Sequence, residues 1–194
     1  MIDVINYAKA LSSIHDTKYN GSFIGKIEYE KIIRKEGKKI NYEARETKSN
    51  KWLSVIEIKC LSNNNLLEKM TVTIVLLSKK KDDDIYKEIN INDSIININK
   101  NHYIKFSEKD IYDFSNMVGD KNPIHLKGNR VVQGMLIIKK LINNYNISRN
   151  FIIKFLNPVY EMNRVYLREC LENHKKVIEG ISNNFKYFKL FLEE

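Results

Sequence analysis

The sequence contains few of the residues that characterise several classes of protein. Its 194 residues include two prolines, seven glycines and two cysteines, and this composition excludes collagen-like chains and disulfide-rich secreted domains. Cys60 and Cys170 are not spaced like metal ligands or a redox pair, so we expect both to be reduced, buried, small apolar residues. No apolar run approaches the roughly 18 residues that cross a bilayer, and residues 1–4 lack the basic-then-apolar pattern of an export signal. These absences predict a cytoplasmic protein with no membrane partner.

The charge of the chain is positive, with 33 Lys and Arg against 24 Asp and Glu and a formal net charge of +9. Such a surface attracts nucleic acid, anionic membranes or small acidic partners such as a coenzyme or a carrier protein. The abundance of Lys, Asn and Ile is typical of AT-rich coding sequence, and no Arg-rich or Gly-rich tract is present, so a nucleic-acid partner is not expected. The histidines form no metal motif, and no phosphate loop or dinucleotide fingerprint occurs. We therefore predict no metal and no cofactor.

Hydrophobic periodicity divides the chain into two similar series of elements. Helical spacing over residues 2–14 is followed by a period of two, which predicts an antiparallel meander. The same order then recurs around an apolar helix over residues 134–145. The predicted strands are 23–33, 39–47, 51–61 and 67–77 in the first series, and 151–156, 163–172, 175–182 and 185–192 in the second.

A charge run at residues 79–84 predicts a boundary between two units. We call residues 1–80 the first half and residues 85–194 the second half. The alternating isoleucines of 89–100 favour an edge strand. The second half also contains an additional helix over about 108–117, with Ser107 and Asp110 as a capping box and Gly119 at its end. This additional segment places any chemistry in the second half.

The loop formed by residues 119–125, Gly-Asp-Lys-Asn-Pro-Ile-His, is the most informative segment. Pro123 prevents the preceding helix from continuing, and it pushes Asn122 towards an extended conformation. The loop therefore presents Asp120 and His125 together. A carboxylate beside an imidazole can share one water, which one group orients while the other takes its proton. The alternative is a simple turn, in which Asp120 binds local N–H groups and His125 is solvated.

The sequence Gln133-Gly134-Met135 begins the apolar helix nine residues after this loop. Its backbone N–H groups are unpaired, lie at the positive end of the helix dipole and are unobstructed at the glycine, so they can stabilise an oxygen that gains negative charge. The remaining candidates are weaker. His15-Asp16 is expected at a solvated helix end, and His102 and His174 have no partner at a useful spacing. Trp52 is expected in the core or at an interface.

Residues 114–135, FSNMVGDKNPIHLKGNRVVQGM, resemble the signature of the MaoC-like family of (R)-specific enoyl thioester hydratases and 3-hydroxyacyl thioester dehydratases. Residues 155–159 resemble the strand entry after the family's central helix. The resemblance covers about 103–192 well, whereas 1–78 resembles the family as a degenerate half. It implies an α+β fold of two hot-dog units, the first of them degenerate and without catalytic residues.

The resemblance also implies roles for single residues. Asp120 and His125 match the family's catalytic pair, and Gly134 matches the glycine whose N–H holds the thioester carbonyl. Asn122 matches a motif asparagine that shapes the loop. Gln133 and Met135, which flank Gly134, complete the expected substrate-binding residues.

The function implied is reversible hydration of 2-enoyl thioesters to 3-hydroxyacyl thioesters of coenzyme A or an acyl carrier protein, as in fatty acid or polyketide biosynthesis. A homodimer or a hetero-partner is possible. Two other functions stay open, a non-catalytic acyl-thioester-binding module and a hot-dog thioesterase. The chain departs from the family in a shorter segment at 126–133 and in a first half without its own Asp-His loop. We expect that half to form a wall of the acyl tunnel in place of a dimer partner.

Overall fold

The computed structural model describes residues 2–14, 17–33, 39–76, 102–182 and 185–193. Several sequence predictions lie outside the described residues: the charge run at 79–84, the edge strand at 89–100 and the His15-Asp16 pair. The predictions for all other helices and strands can be compared directly with the structure.

Among the described residues, the first half consists of one α-helix followed by four antiparallel strands, and this order of elements is as predicted. Helix α1 begins after Asp3, whose side chain accepts a hydrogen bond from the N–H of Asn6. This bond satisfies one of the amide groups that have no partner within the helix. A short 3-10 turn at Thr17–Tyr19, not predicted from the sequence, connects the helix to the strands. The elements are α1 Val4–Ser12, β1 Phe23–Lys31, β2 Ile40–Ser49, β3 Leu53–Ser62 and β4 Asn65–Val75.

The second half repeats this order and adds helix α2 before the central helix. The capping box predicted at Ser107 and Asp110 is present at the start of α2. One short strand, β5, was not predicted, because its two residues are too few to show a period. The elements are β5 Tyr103–Ile104, α2 Glu108–Val118, α3 Gly134–Tyr145, β6 Phe151–Phe155, β7 Val165–Glu172, β8 Lys175–Ser182 and β9 Phe185–Leu192.

The nine strands of the described ranges form one antiparallel sheet in the order β2-β3-β4-β1-β6-β9-β8-β7-β5. The predicted four-strand meander is wrong in both halves, because β1 pairs with β4 and β6 pairs with β9. A period of two predicts a strand but not its neighbour in the sheet. The two halves meet in the middle, where β1 pairs with β6 and Ile27 lies opposite Ile153. On each side of this pair the neighbouring strands have the same connectivity. Each half therefore pairs with the edge strand of the other half. An unpaired edge strand there would be exposed to aggregation.

The helices and the sheet share a single apolar core. Helix α1 packs against α2, α3 and strands β2 and β3, and α3 buries apolar side chains around most of its circumference. Burial of each such side chain contributes about 1.5–3 kcal/mol. The buried residues of α3 are Met135, Leu136, Ile137, Ile138, Leu141 and Ile142.

Two sequence expectations about single side chains need correction. Cys60 is buried as expected, whereas Cys170 is only partly buried on β7. Trp52 is 53% exposed, so the expectation of a core position is wrong, and the alternative of an interface position stays a prediction. Trp52 lies in the turn just before β3, where Lys51 Nζ lies 4.8 Å from the centre of its ring. Within the described ranges, no helix is both long and apolar enough to cross a membrane.

Candidate active site

The 119–125 loop begins where helix α2 ends. Gly119 adopts φ 75°, a left-handed conformation that glycine reaches without steric cost. The N–H of Asp120 then donates to the carbonyl of Ser115 at 3.0 Å. Asn122 is extended, as predicted for a residue before proline, and Pro123 opens a 3-10 turn, Pro123–His125. Local backbone chemistry thus carries the chain from Asp120 to His125 without a regular helix.

The imidazole of His125 is held in one orientation. Its side chain is buried, and Nδ1 lies 2.6 Å from the carbonyl oxygen of Val131. Because a carbonyl oxygen only accepts hydrogen bonds, Nδ1 carries the proton of the neutral ring. The other nitrogen, Nε2, lies 3.6 Å from Oδ2 of Asp120. The lone pair of Nε2 is therefore on the side of the ring that faces the carboxylate.

Burial governs the charge of this pair. Removal from water lowers the pKa of His125 below its ordinary value, although the nearby charge of Asp120 and the Val131 carbonyl act in the opposite direction. The ring is therefore neutral at neutral pH, and Nε2 and the Asp120 carboxylate both act as acceptors. Their 3.6 Å separation exceeds a hydrogen bond. A water molecule that donates one hydrogen to each fits this arrangement.

The side chain of Asn122 connects the loop to the first half of the chain. Its Oδ1 accepts from the N–H of Gly21 at 3.0 Å, and its Nδ2 donates to the carbonyl of Ser22 at 3.1 Å. Its own backbone N–H donates to Oδ1 of Asp120 at 3.0 Å. Asn122 therefore shapes the loop, as expected, through partners in the first half that the sequence did not reveal.

Gln133 docks the start of α3 onto α2. Its Nε2 donates to the carbonyl of Ile111 at 3.1 Å and to Oγ of Ser115 at 2.5 Å. The side chain is buried, and Oε1 has no hydrogen-bond partner among the residues described. Gln133 gives α3 no side-chain cap, so the amide groups of the first turn remain available to a bound ligand.

Gly134 and Met135 follow at the first two positions of α3. A Cβ at Gly134 would lie 3.2 Å from the ring of Phe155 and 3.4 Å from Cβ of Ile24. Only a glycine therefore fits without displacing these neighbours. Met135 is buried beside it. Apolar groups from both halves therefore lie beside Gly134 on the side where a Cβ would be.

A cavity of about 320 Å³ joins these features. All six residues predicted for the site line it, namely Asp120, Asn122, His125, Gln133, Gly134 and Met135. The first half forms the opposite wall, which includes Ala8, Leu11, Ile24, Ile56 and Ile74. The sequence did not identify these wall residues, because a side chain that lines an apolar cavity has the same period as one in the core.

The shortened segment 126–133 is pinned at several points. Gly128 adopts φ 60°, and the N–H of Val131 donates to the carbonyl of Ile124 at 3.0 Å. Arg130 forms ion pairs of 2.6 Å with Glu108 and 3.1 Å with Glu161. The segment therefore fixes the Val131 carbonyl that orients His125.

His102 and His174 lie away from the cavity. His102 contacts the ring of Tyr145, with centroids 5.5 Å apart, and His174 occupies the turn between β7 and β8 with φ 65°. In the part of the chain that the structure describes, no three His, Cys, Asp or Glu side chains are grouped as metal ligands are.

The fold resembles that of known proteins at low sequence identity. No protein-family model matches the sequence, and no curated protein matches it significantly. The crystal structure of HtdX from Mycobacterium tuberculosis superimposes with a TM-score of 0.69 at 10% identity, over 98% of this chain and 85% of that chain. A MaoC-like dehydratase from Phytophthora capsici gives 0.62 at 11% identity, over 93% of this chain and 72% of that chain.

A thioesterase also has this fold. The 12:0-ACP thioesterase from Umbellularia californica gives a TM-score of 0.55 at 10% identity, over 89% of this chain and 74% of that chain. At such identities the comparisons establish the fold alone. The chain has the architecture of the MaoC-like dehydratases, an α+β fold with a large antiparallel sheet that is consistent with the hot-dog fold.

Proposed function

We propose that this protein is a hydro-lyase that interconverts 2-enoyl and 3-hydroxyacyl thioesters of coenzyme A or an acyl carrier protein. The observation that carries the proposal is the pair Asp120 and His125, whose Oδ2 and Nε2 atoms lie 3.6 Å apart in a mostly apolar cavity. The N–H at Nδ1 of His125 donates to the carbonyl oxygen of Val131. The other ring nitrogen, Nε2, is therefore the one that can act as a base.

In the hydration direction, Asp120 and His125 hold a water against C3 of the enoyl group. The water oxygen bonds to C3, its proton moves to Nε2 of His125, and the electrons of the double bond pass into the thioester as an enolate. Asp120 stabilises the resulting imidazolium. Nε2 then returns the proton to C2, so that one water has been added and His125 is neutral again.

The enolate oxygen needs a partner where its charge develops. The N–H of Gly134, at the positive end of the α3 dipole, is the proposed donor. Met135 and Gln133 define the adjacent wall of the cavity. Because the thioester itself acidifies C2, we assign no metal, flavin or nicotinamide to this reaction.

The first half, residues 1–80, acts in this proposal as a degenerate hot-dog unit, and residues 85–194 act as the catalytic unit. The matching connectivity on the two sides of the β1–β6 pair supports this division. In a symmetric dimer the partner subunit would supply the opposite wall, and here residues such as Leu11 and Ile74 occupy that wall. We propose that the halves together form one acyl-binding site, whether the chain acts alone, as a homodimer or with another subunit.

Thioester hydrolysis is the second candidate function, because an ACP thioesterase shares the fold and a water held by Asp120 and His125 could attack the carbonyl carbon. A binding module without activity is the third. It would need neither a neutral histidine nor a carboxylate facing it, and both are present here.

One experiment separates the three functions. The purified chain is incubated with crotonyl and octenoyl coenzyme A, while loss of enoyl absorbance, release of free thiol and chirality of the product are followed. Loss of enoyl absorbance without thiol release, with a single 3-hydroxyacyl enantiomer, supports the hydro-lyase. Thiol release supports the thioesterase, and binding without either change supports the module.

A further inference from the structure

We infer that the turn formed by residues 17–22 of the first half is a clamp that positions the 119–125 loop through Asn122, and that Glu46 anchors this clamp. The inference rests on the proposed function for its kinetic test but on geometry for its argument. In this inference the first half has two roles: it lines the cavity and it positions the 119–125 loop. Asn122 is then a positioning residue rather than a substrate ligand.

Two hydrogen bonds join the clamp to the side chain of Asn122, which accepts one of them and donates the other. Gly21 presents an N–H to Oδ1 and Ser22 presents a carbonyl to Nδ2. The φ of Gly21 is 81°, and this left-handed turn orients the two adjacent peptides towards the same side chain. Both ends of the Asn122 amide therefore have a partner in the first half.

Hydrogen bonds within residues 17–22 stabilise the turn that contacts Asn122. The Oγ and the N–H of Ser22 donate to the carbonyl of Tyr19 at 2.6 and 3.0 Å, and the N–H of Asn20 donates to the carbonyl of Thr17 at 3.1 Å. Ser22 is buried. A displacement of Tyr19 is therefore transmitted to the peptide that holds Asn122.

Glu46 on β2 fixes the other side of the turn. Its carboxylate accepts hydrogen bonds from the hydroxyl of Tyr19, from Oγ of Ser54 at 2.7 Å and from Nζ of Lys18 at 2.6 Å. These donors lower the pKa of Glu46 to about 2. Ser54 is fully buried on β3, so the carboxylate ties the turn to the sheet.

The clamp bears directly on the catalytic geometry. The N–H of Asn122 donates to Oδ1 of Asp120, and the other oxygen of Asp120 faces His125. Movement of Asn122 therefore changes the separation of the two groups that would share a water. A misplacement of about 1 Å can lower a rate by about 100-fold, so a weakened clamp reduces kcat more than it raises KM.

The test compares Asn122→Ala, Glu46→Gln and the double variant with the wild type. We expect Asn122→Ala to lower kcat by about 10- to 100-fold with KM changed less than about threefold, and Glu46→Gln to lower kcat by a smaller factor. The double variant should be no slower than Asn122→Ala alone, because both changes act through one contact. The matched control is Glu30→Gln, which removes a strand carboxylate of the first half from its 2.9 Å ion pair with Lys69 and should leave kcat unchanged.

A second measurement does not depend on activity. Hydrogen exchange of residues 119–126 should become faster in Asn122→Ala and in Glu46→Gln, and stay unchanged in Glu30→Gln. Tyr19→Phe, which removes one hydroxyl, replaces Glu46→Gln if that variant does not fold. Unchanged exchange, multiplicative losses in the double variant, or a raised KM with kcat retained would each overturn the clamp. Absence of hydration by the wild type would overturn the proposed function, and exchange would still decide the clamp.

Discussion

The Nδ1 atom of His125 donates a hydrogen bond of 2.6 Å to the carbonyl oxygen of Val131, and this contact decides which nitrogen of the ring can act as a base. The carbonyl belongs to the segment that is shorter than in the family that the sequence resembles. The segment is held by Arg130 and its two carboxylate partners. The orientation of the proposed base thus depends on a segment that contains neither member of the proposed catalytic pair.

The first prediction concerns the pair itself. Asp120→Asn and His125→Ala should each lower kcat for hydration by about 100-fold or more, since this is the usual scale for a group that transfers or orients a proton. Initial rates with crotonyl coenzyme A measure the effect, and thermal unfolding confirms that the variants are folded. His174→Ala is the matched control, because this histidine lies in the β7–β8 turn. Near-wild-type turnover in either folded variant would remove the residue from the mechanism.

The second prediction concerns pH. Burial depresses the pKa of His125 in the folded protein, so the base remains neutral below the ordinary histidine range. The decrease of kcat/KM at acid pH should therefore occur below about pH 6.5. A depressed folded pKa also means that the unfolded chain binds the proton more readily. This contribution to stability is present above the unfolded pKa and is lost as pH falls towards the folded value.

Two measurements check this sign. The pH profile of kcat/KM locates the acid limb, and the unfolding temperature between pH 5 and 8 follows the stability. His125→Gln should reduce the loss of stability below about pH 6.5, because the titrating group is absent. An acid limb above the ordinary histidine pKa, or an identical pH dependence of stability in His125→Gln, would contradict the prediction.

The third prediction concerns the length of the acyl chain. We expect kcat/KM to rise as the substrate is extended from four to eight carbons, because each buried methylene contributes up to about 0.8 kcal/mol, a factor of about four. Ala8 is buried and lines the cavity, so Ala8→Leu should shift the preference to shorter chains. Ala10→Leu is the control, since Ala10 is buried on the same helix outside this cavity. A wild-type optimum at four carbons would show instead that side chains of the first half close the tunnel.

The fourth prediction concerns the isolated second half. A fragment of residues 85–194 should be poorly soluble, because removal of β1 exposes the edge of β6 with Phe151 and Ile153. It should also lack activity, since one wall of the cavity is missing. Size-exclusion chromatography and the hydration assay measure both properties. A monomeric, fully active fragment would mean that the first half is an independent domain.

The sequence was sufficient to predict most elements and the 119–125 loop. Residues 53–62 and 134–145 show clear periods, and Pro123 and Gly119 determine the local backbone, so these segments follow from short-range physics. The pairing of β1 with β6, by contrast, depends on contacts between residues more than 120 positions apart. No local pattern encodes which edge a strand will meet.

The missed site features have the same origin. Gly21 and Ser22 were ordinary turn residues in the sequence, and nothing marked them as partners of Asn122. Gln133 was expected to face the substrate, yet its Nε2 is bound to α2. Its role in substrate binding remains a prediction. Tyr19 and Glu46 are 27 residues apart, and their contact exists only once the sheet has formed.

The hydrogen bonds from residues 21 and 22 to Asn122 are made by main-chain atoms. Such a contact constrains the backbone at these two positions more than their side chains, provided that position 21 keeps a residue able to adopt a positive φ. The sequence of the first half can therefore diverge until an alignment no longer detects its similarity to relatives, while the two hydrogen bonds to Asn122 are kept. Relatives that share this device should be sought by superposing backbones rather than by comparing residue identities.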